Sequence, residues 1–503
     1  MSSSKEALLQ ELRNRTPKSG TYWEHARDLV PGGLISGARK MEPYPVYVAH
    51  SKGAYTWDID DNRYIDCAMS FGVHILGHGP EVVLKALHEQ CELGMSFGMP
   101  HTREIEFTKR MIECVPCAEQ VMLCNTGTES TLLAWRLMRA AAKKPKIAKF
   151  EGCYHGWHDY AQWNVFVDPK TMGPADRPNM APGSAGIPEG AKNSMLVLPF
   201  NESAFELIEA NAYELAGVAI EPVIGGGMLT VDRKFLQKLR EVTQKAGVLL
   251  HFDEVITGFR LALGGCQELT GVLPDVATYG KIIGGGLPIG AVACSREMVD
   301  IARKTDDGFS AAGTFSGNPL TLATGAAMLP DVATYGKIIG GGLPIGAVAC
   351  SREMVDIARK TDDGFSAAGT FSGNPLTLAT GAAMLRYLQE NSHIYDELRI
   401  KGEFLRNSFN EWTALKNFPF CMTGIGSMFQ IHAKAELPVV PRDLPGQDNE
   451  ALSELQLRFR LNGLLLPWMH LAFFSAAHDQ QDIEHMLQAF KAAVEGVMKA
   501  RGK

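Results

Sequence analysis

The chain contains no run of about 18 apolar residues, the length needed to span a bilayer. Its opening stretch, MSSSKEALLQELRNR, has no apolar segment of the signal-peptide kind. Neither a membrane span nor a secretory leader is expected, and a cytoplasmic location follows as the default. Basic charge is also short: 49 Lys and Arg stand against 56 Asp and Glu, a net charge of −7. That balance gives no electrostatic footprint for nucleic acid or for an anionic membrane. The ten cysteines are scattered, and only Cys114 and Cys117 show a C-x-x-C spacing. With no second pair to complete a zinc site, they read as reduced core thiols, and no metal is expected. Around Gly284, Gly285 and Gly286 neither G-x-G-x-x-G nor GK[ST] occurs in register. A dinucleotide fingerprint and a P-loop are thereby excluded, and a strand-connecting turn is left. What remains is ordinary for a globular protein with a large core and two or three domains: 503 residues, 46% hydrophobic and 21% charged.

The most informative stretch is 249–290, LLHFDEVITGFRLALGGCQELTGVLPDVATYGKIIGGGLPIG. Three short apolar runs appear in and around it. The first ends in Asp253 and Glu254, the second ends in Lys281, and the third spans Ile289 to Cys294. Such runs, stopped by polar residues and glycines, read as buried parallel strands. Open α/β sheets bind ligands at the carboxyl ends of their strands, so an acid and a lysine at neighbouring strand ends suggest a cofactor held by Asp253 and attacked by Lys281. Without further context, a solvated acid pair and a surface lysine is the competing reading.

Along the chain, residues 5–30 read as helical, stopped by Pro31, Gly32 and Gly33. A hairpin is expected around Asp60, Asp61 and Asn62, and Pro80 opens a helix. Strands and helices then alternate, which indicates βαβ units and a mostly parallel sheet. After Asp232, the residues Phe235, Leu239 and Val242 share a helix face that Gly247 closes. The last helix carries a stripe of Ile483, Met486, Leu487, Phe490, Val494 and Val497 after Asp479 as cap, and is expected to pack on a small C-terminal sheet. One feature is unusual: residues 273–328 recur without a single change as 329–384. Solenoid repeats diverge and need three or more units, so two identical copies indicate a recent in-frame duplication or an assembly error.

The segments DEVITGFR, PDVATYGKIIGGGLPIGA and GTFSGNP resemble the signature of the class III aminotransferases, fold type I enzymes that use pyridoxal 5′-phosphate. The similarity runs from about Pro31 to about Asp482 and is strongest toward the glutamate-1-semialdehyde 2,1-aminomutase branch. It implies an α/β fold with a large domain, residues 73–385, whose mostly parallel seven-stranded sheet is flanked by helices. A smaller α+β domain would combine residues 1–72 and 386–503. It also implies roles. Asp253 would keep the pyridine nitrogen protonated, and Lys281, or its copy Lys337, would hold the cofactor covalently and then move the substrate proton. The turn Asn125, Thr126, Gly127 and Thr128 opens a helix and would take the phosphate, a simple helix cap being the competing reading of those residues alone. Tyr154, followed by His155 in the family's motif, would stack on the ring with Val255 on the opposite face, where ordinary core packing is the alternative. Glu221 matches the acid near the phenolic oxygen. Thr314, or its copy Thr370, matches a threonine that reaches the phosphate of the partner subunit, implying a homodimer with shared active sites.

Arg39, after Pro31, Gly32 and Gly33, matches an arginine that grips a substrate carboxylate with two parallel hydrogen bonds. An exposed surface arginine is the competing reading. Three departures weigh against intramolecular amino transfer. Gly226 stands where the aminomutases have asparagine, the segment PWMHLAFFS lacks their glutamate, and the stretch from Trp157 to Ala191 is longer and different. The expectation is a transaminase acting on small amines and oxo compounds, the amine bearing a carboxylate. An aminomutase is the alternative within the same chemistry, and an inactive product of the duplication the alternative outside it. Only one copy can fill the family's strand positions, and the short chain distance from Asp253 favours Lys281 over Lys337.

Overall fold

The computed structural model describes residues 3–95, 97, 99–305, 309, 316, 345–346, 387, 390–466 and 471–502. Thr314, Lys337 and Thr370, most of the second copy, and residues 467–470 of the PWMHLAFFS segment lie outside them. The chain divides into two compact units.

The larger unit comprises Glu81–Ser392 with Val440–Arg442. Its sheet is built from β1 (Gln120–Cys124), β2 (Lys146–Phe150), β3 (Met195–Leu198), β4 (Leu215–Ile220), β5 (Leu249–Asp253), β6 (Val276–Gly280) and β7 (Ile289–Cys294), in the spatial order β3-β2-β4-β5-β6-β7-β1. Strands β2 to β6 pair in parallel. Their apolar residues are buried apart from the half-buried Leu196 and Leu249, as strands covered on both faces require. The third run of the central stretch corrects its expected direction, because β7 lies antiparallel to both β6 and β1. The cause is chain length: the link from Lys281 to Pro288 is too short for a helical crossover, which a parallel pair requires. Beside β7, Ile345 and Gly346 pair in parallel with Ile289 and Gly290, the same two residues of the first copy. Strands β6 and β7 themselves come from the first copy.

Helix α1 (Gly127–Ala142) lies over this sheet with Ala134, Trp135, Leu137 and Met138 buried. They share a core with Ile147, Val276 and Val292. Replacing one of its large side chains by alanine is expected to cost about 2–5 kcal/mol. Helix Arg233–Lys245 begins as expected at Asp232, whose carboxylate accepts from the amides of Lys234 and Phe235.

The second unit comprises residues 1–80, His393–Val439 and Asp443–Lys503. The helical stretch expected over residues 5–30 is present as two helices, Ser3–Arg15 and Pro17–Leu29. Pro17 has no N–H to continue the first helix and instead opens the second. Strands Tyr55–Asp58 and Arg63–Asp66 form the hairpin. The last helix, Gln480–Ala500, starts at Asp479 in a capping box and buries its whole apolar stripe. It packs chiefly between helices His393–Leu415 and Asn449–Leu461. It reaches a small antiparallel sheet of Cys421–Ile425, Met428–His432 and Leu471–Phe473 through Phe490, whose ring centroid lies 5.8 Å from that of Phe429.

No helix of the described residues is long and apolar enough to cross a membrane. Cys91 is exposed, so the cysteines are not all core thiols.

Candidate active site

The site forms where β4, β5 and β6 end. Register sets Asp253 of β5 directly beside Thr278 of β6. Asp253 is buried, and its carboxylate accepts from Thr278 Oγ1 at 3.1 Å, from the amide of Val255 at 3.1 Å and from His155 Nδ1 at 2.8 Å. Burial acts to raise its pKa, yet the hydrogen bond and charge of His155, the nearby His251 and the Val255 amide together hold it below the ordinary carboxylate value. The group is ionised. A carboxylate has about four lone-pair sites, and three donors leave one open.

Glu221 follows β4 and goes the other way. Burial first, and the charge of Asp253 second, push it up to about 8, although the amides of Tyr154 (2.7 Å) and Gly225 (3.3 Å) point at it. Two carboxyls at one site therefore differ in charge at neutral pH, one holding a proton and one not.

Lys281 directly follows β6 and opens the turn Lys281–Gly284. Its φ of 53° is in the left-handed region, a strained position for a side chain with a Cβ. Burial and the Arg260 guanidinium lower its pKa, opposed by Asp253 and Glu221.

The turn before α1 is held by Thr126, whose hydroxyl caps the amide of Glu129 at 3.1 Å, while Glu129 accepts from the Asn125 amide. The first amides of α1, those of Gly127 and Thr128, lack intrahelical acceptors, as at any helix start. Two glycines permit the approach of neighbouring elements. A Cβ on Gly290 of β7 would lie 1.7 Å from the Thr126 carbonyl oxygen. One on Gly156, at φ +96°, would lie 2.7 Å from Thr128 Cα. The Tyr154–Gly156 loop thus closes on the helix start, where Thr131 Oγ1 donates to the His155 carbonyl at 2.5 Å. Val255 packs against Gly127. Tyr154 is 39% exposed.

The structure brings Asp253, Lys281, Glu221, Val255, His155, Tyr154 and the Asn125–Thr128 turn to one place. Arg39 ends the turn Gly37–Arg39 of the other unit and is exposed. Other roles were missed in the sequence. Glu254 is an anchor: it accepts from Thr257 Oγ1, and from the amides of Cys266 at 2.9 Å and Gln267 at 3.1 Å. Lys149 is wholly buried and donates to the Trp163 carbonyl at 2.6 Å. Arg442 pairs with Glu151 at 2.7 Å and donates to the carbonyls of Gly173 and Pro174. Together Lys149 and Arg442 hold the long 157–191 stretch. A lysine within the apolar strand KIAKF was the one visible signal.

These residues fit pyridoxal 5′-phosphate: a buried ionised acid with one lone pair open, a buried lysine whose pKa is lowered, a glycine-bearing helix start for a dianion, and a partly exposed tyrosine.

Comparison with known proteins agrees. The family model "Aminotransferase class-III" matches residues 36–329 and 323–493. A glutamate-1-semialdehyde 2,1-aminomutase of Methanocaldococcus jannaschii is 34% identical over 486 residues, covering 95% of this chain and 98% of that protein. An omega-transaminase of Sphaerobacter thermophilus superposes with a TM-score of 0.79 at 30% identity, over 95% of this chain and 98% of its own. A beta-phenylalanine aminotransferase of Variovorax paradoxus gives 0.76 at 25% identity, over 98% and 97%.

Proposed function

The chain belongs to the class III aminotransferases, and from that membership we propose that it is a transaminase moving an amino group from a carboxylate-bearing amine to an oxo acceptor. Its cofactor is pyridoxal 5′-phosphate, which when bound supplies a sink for the electron pair left after a substrate Cα–H bond breaks. The observation that carries the reading is the unlike pair at neighbouring strand ends, an ionised Asp253 and a lysine whose pKa is lowered.

Asp253 would hold the cofactor's ring nitrogen in its protonated form, with His155 keeping the carboxylate in place. Lys281 would hold the cofactor through Nζ, and its amine would serve as general base for the substrate Cα proton. Glu221, which keeps its own proton at neutral pH, would serve the cofactor's phenolic oxygen. The amides opening α1 would take the phosphate, and Tyr154 and Val255 would pack on the ring. Arg39 grips the substrate carboxylate. Thr314, or Thr370, serves the phosphate of a second subunit, so the working form is a cytoplasmic homodimer. Exposed Leu93, Met95, Phe97, Met99 and Ile105 lie close together in sequence and suit burial in such a dimer.

Identity to relatives named glutamate-1-semialdehyde 2,1-aminomutase supports a second reading, intramolecular amino transfer. Gly226, in place of that branch's asparagine, favours the first. Half-reactions with a panel of amino donors separate them. Release of an oxo product after one addition of donor supports the transaminase. Retention of the carbon skeleton until the amine is returned supports the aminomutase. No spectral change with any donor refutes both.

A further inference from the structure

Behind Asp253 runs a buried hydrogen-bond chain whose direction is set by its far end. Trp135 Nε1 of α1 meets His251 Nδ1 at 3.1 Å, His251 Nε2 meets Thr278 Oγ1 at 3.0 Å, and Thr278 Oγ1 meets Asp253 Oδ1 at 3.1 Å. All four side chains are buried. An indole N–H can only donate, so His251 Nδ1 carries no proton. The ring must then hold its proton on Nε2, which donates to Thr278. The Thr278 hydroxyl, with one lone pair so occupied, turns its own proton to Asp253. Burial, which pushes the His251 imidazole down to about 3, agrees with a ring that stays neutral.

We propose that Trp135 and His251 are positioning residues that lock the Thr278 hydroxyl as a donor to Asp253 and so fix the rotamer and negative charge of the acid that faces the cofactor ring. This rests on the reading of Asp253 given above. The logic is one of tautomers. Without the indole donor, His251 can carry its proton on Nδ1 and accept from Thr278 through Nε2, which takes the hydroxyl proton away from Asp253. The lost bond is one to a charged acceptor, so breaking the relay should weaken the hold of Asp253 on the ring nitrogen about tenfold.

The first test does not need the cofactor. Nitrogen-15 NMR of histidine-labelled, cofactor-free protein should show one buried imidazole, lost in His251→Gln, that is protonated on Nε2 alone from pH 5 to 9. Trp135→Phe should move part of that proton to Nδ1. A wild-type ring protonated on Nδ1, or on both nitrogens, overturns the proposal.

The second test is a cycle on the dissociation constant of pyridoxal phosphate. Trp135→Phe, which frees His251 to accept from Thr278, and Thr278→Val should each raise it about tenfold, and the double variant no further than either, since each removes the same bond to a charged group. His251→Gln keeps an acceptor beside a donor and should keep most of the wild-type affinity. Additive losses, a silent Trp135→Phe, or a tenfold loss in His251→Gln overturn the relay. Asp253→Asn in the same assay separates the two claims. If it weakens binding while Trp135→Phe does not, only the relay fails. If it too is silent, the placement of Asp253 fails and the relay's role falls with it.

Discussion

Replacing Asp253 by asparagine is expected to leave the fold nearly intact and to remove most of the activity. The side chain keeps its shape, and the site has a way to absorb the new amide. His155 Nε2 is buried and has no hydrogen-bond partner, so the imidazole can move its proton there and accept from the new NH2 through Nδ1. The remaining oxygen still accepts from Thr278 and Val255. One neutral hydrogen bond replaces a charge-assisted one, a loss of about 1 kcal/mol in stability. The reaction loses far more, because the fixed negative charge that holds a proton at the ring nitrogen is gone. Removing one preorganised electrostatic partner costs about 10²- to 10³-fold in turnover, and loss of a full charge should reach or exceed the upper figure. Circular-dichroism melting with steady-state turnover on the best amino donor measures both. A melting point several degrees lower would refute the argument about His155. Near-normal turnover with an intact fold would refute the role of Asp253.

Glu221→Gln tests the protonated acid through stability. Glu221 titrates near 8 in the folded chain against an ordinary 4.5. The folded state therefore binds more protons between those values, and the contribution is full below the lower one and lost as pH rises through the upper one. Wild type should lose stability relative to Glu221→Gln from pH 5 to 8, by at most about 1.4 kcal/mol per pH unit, and parallel melting curves across that range would contradict the assignment. Gly156→Ala places a Cβ 2.7 Å from Thr128 Cα at a left-handed φ. It should cost about 1–3 kcal/mol and weaken cofactor binding, and unchanged affinity would show that the loop does not shape the phosphate site. Arg39→Ala should raise KM for carboxylated amines much more than for simple amines, with kcat little changed. An equal effect on both would leave Arg39 as a surface residue.

The sequence revealed the parts of this site that are local. The ends of β5 and β6 were visible because an apolar run stops at Asp253 and another just before Lys281, and Thr126, Asp232 and Asp479 announce helices through side chains that cap amides two or three residues away. What escaped notice depends on which strands and helices become neighbours. Trp135 and His251 are 116 positions apart and meet only because α1 lies over β5. Arg442 and Glu151 are 291 apart. The reversed direction of β7 was hidden because a buried strand looks the same in either direction, and only the short link after Lys281 hinted at it. His251 itself, a polar residue in the otherwise apolar run VLLHF, was the available sign of a partner across the core.

The identical copies leave two chemically equivalent lysines, and the account stands on Lys281 as the one that bonds the cofactor. Lys281→Ala and Lys337→Ala, each loaded with pyridoxal phosphate, reduced with borohydride and denatured, give the direct comparison. The first should release all of its cofactor on denaturation and the second should keep it covalently attached. Cofactor retained in Lys281→Ala and lost in Lys337→Ala would contradict the assignment.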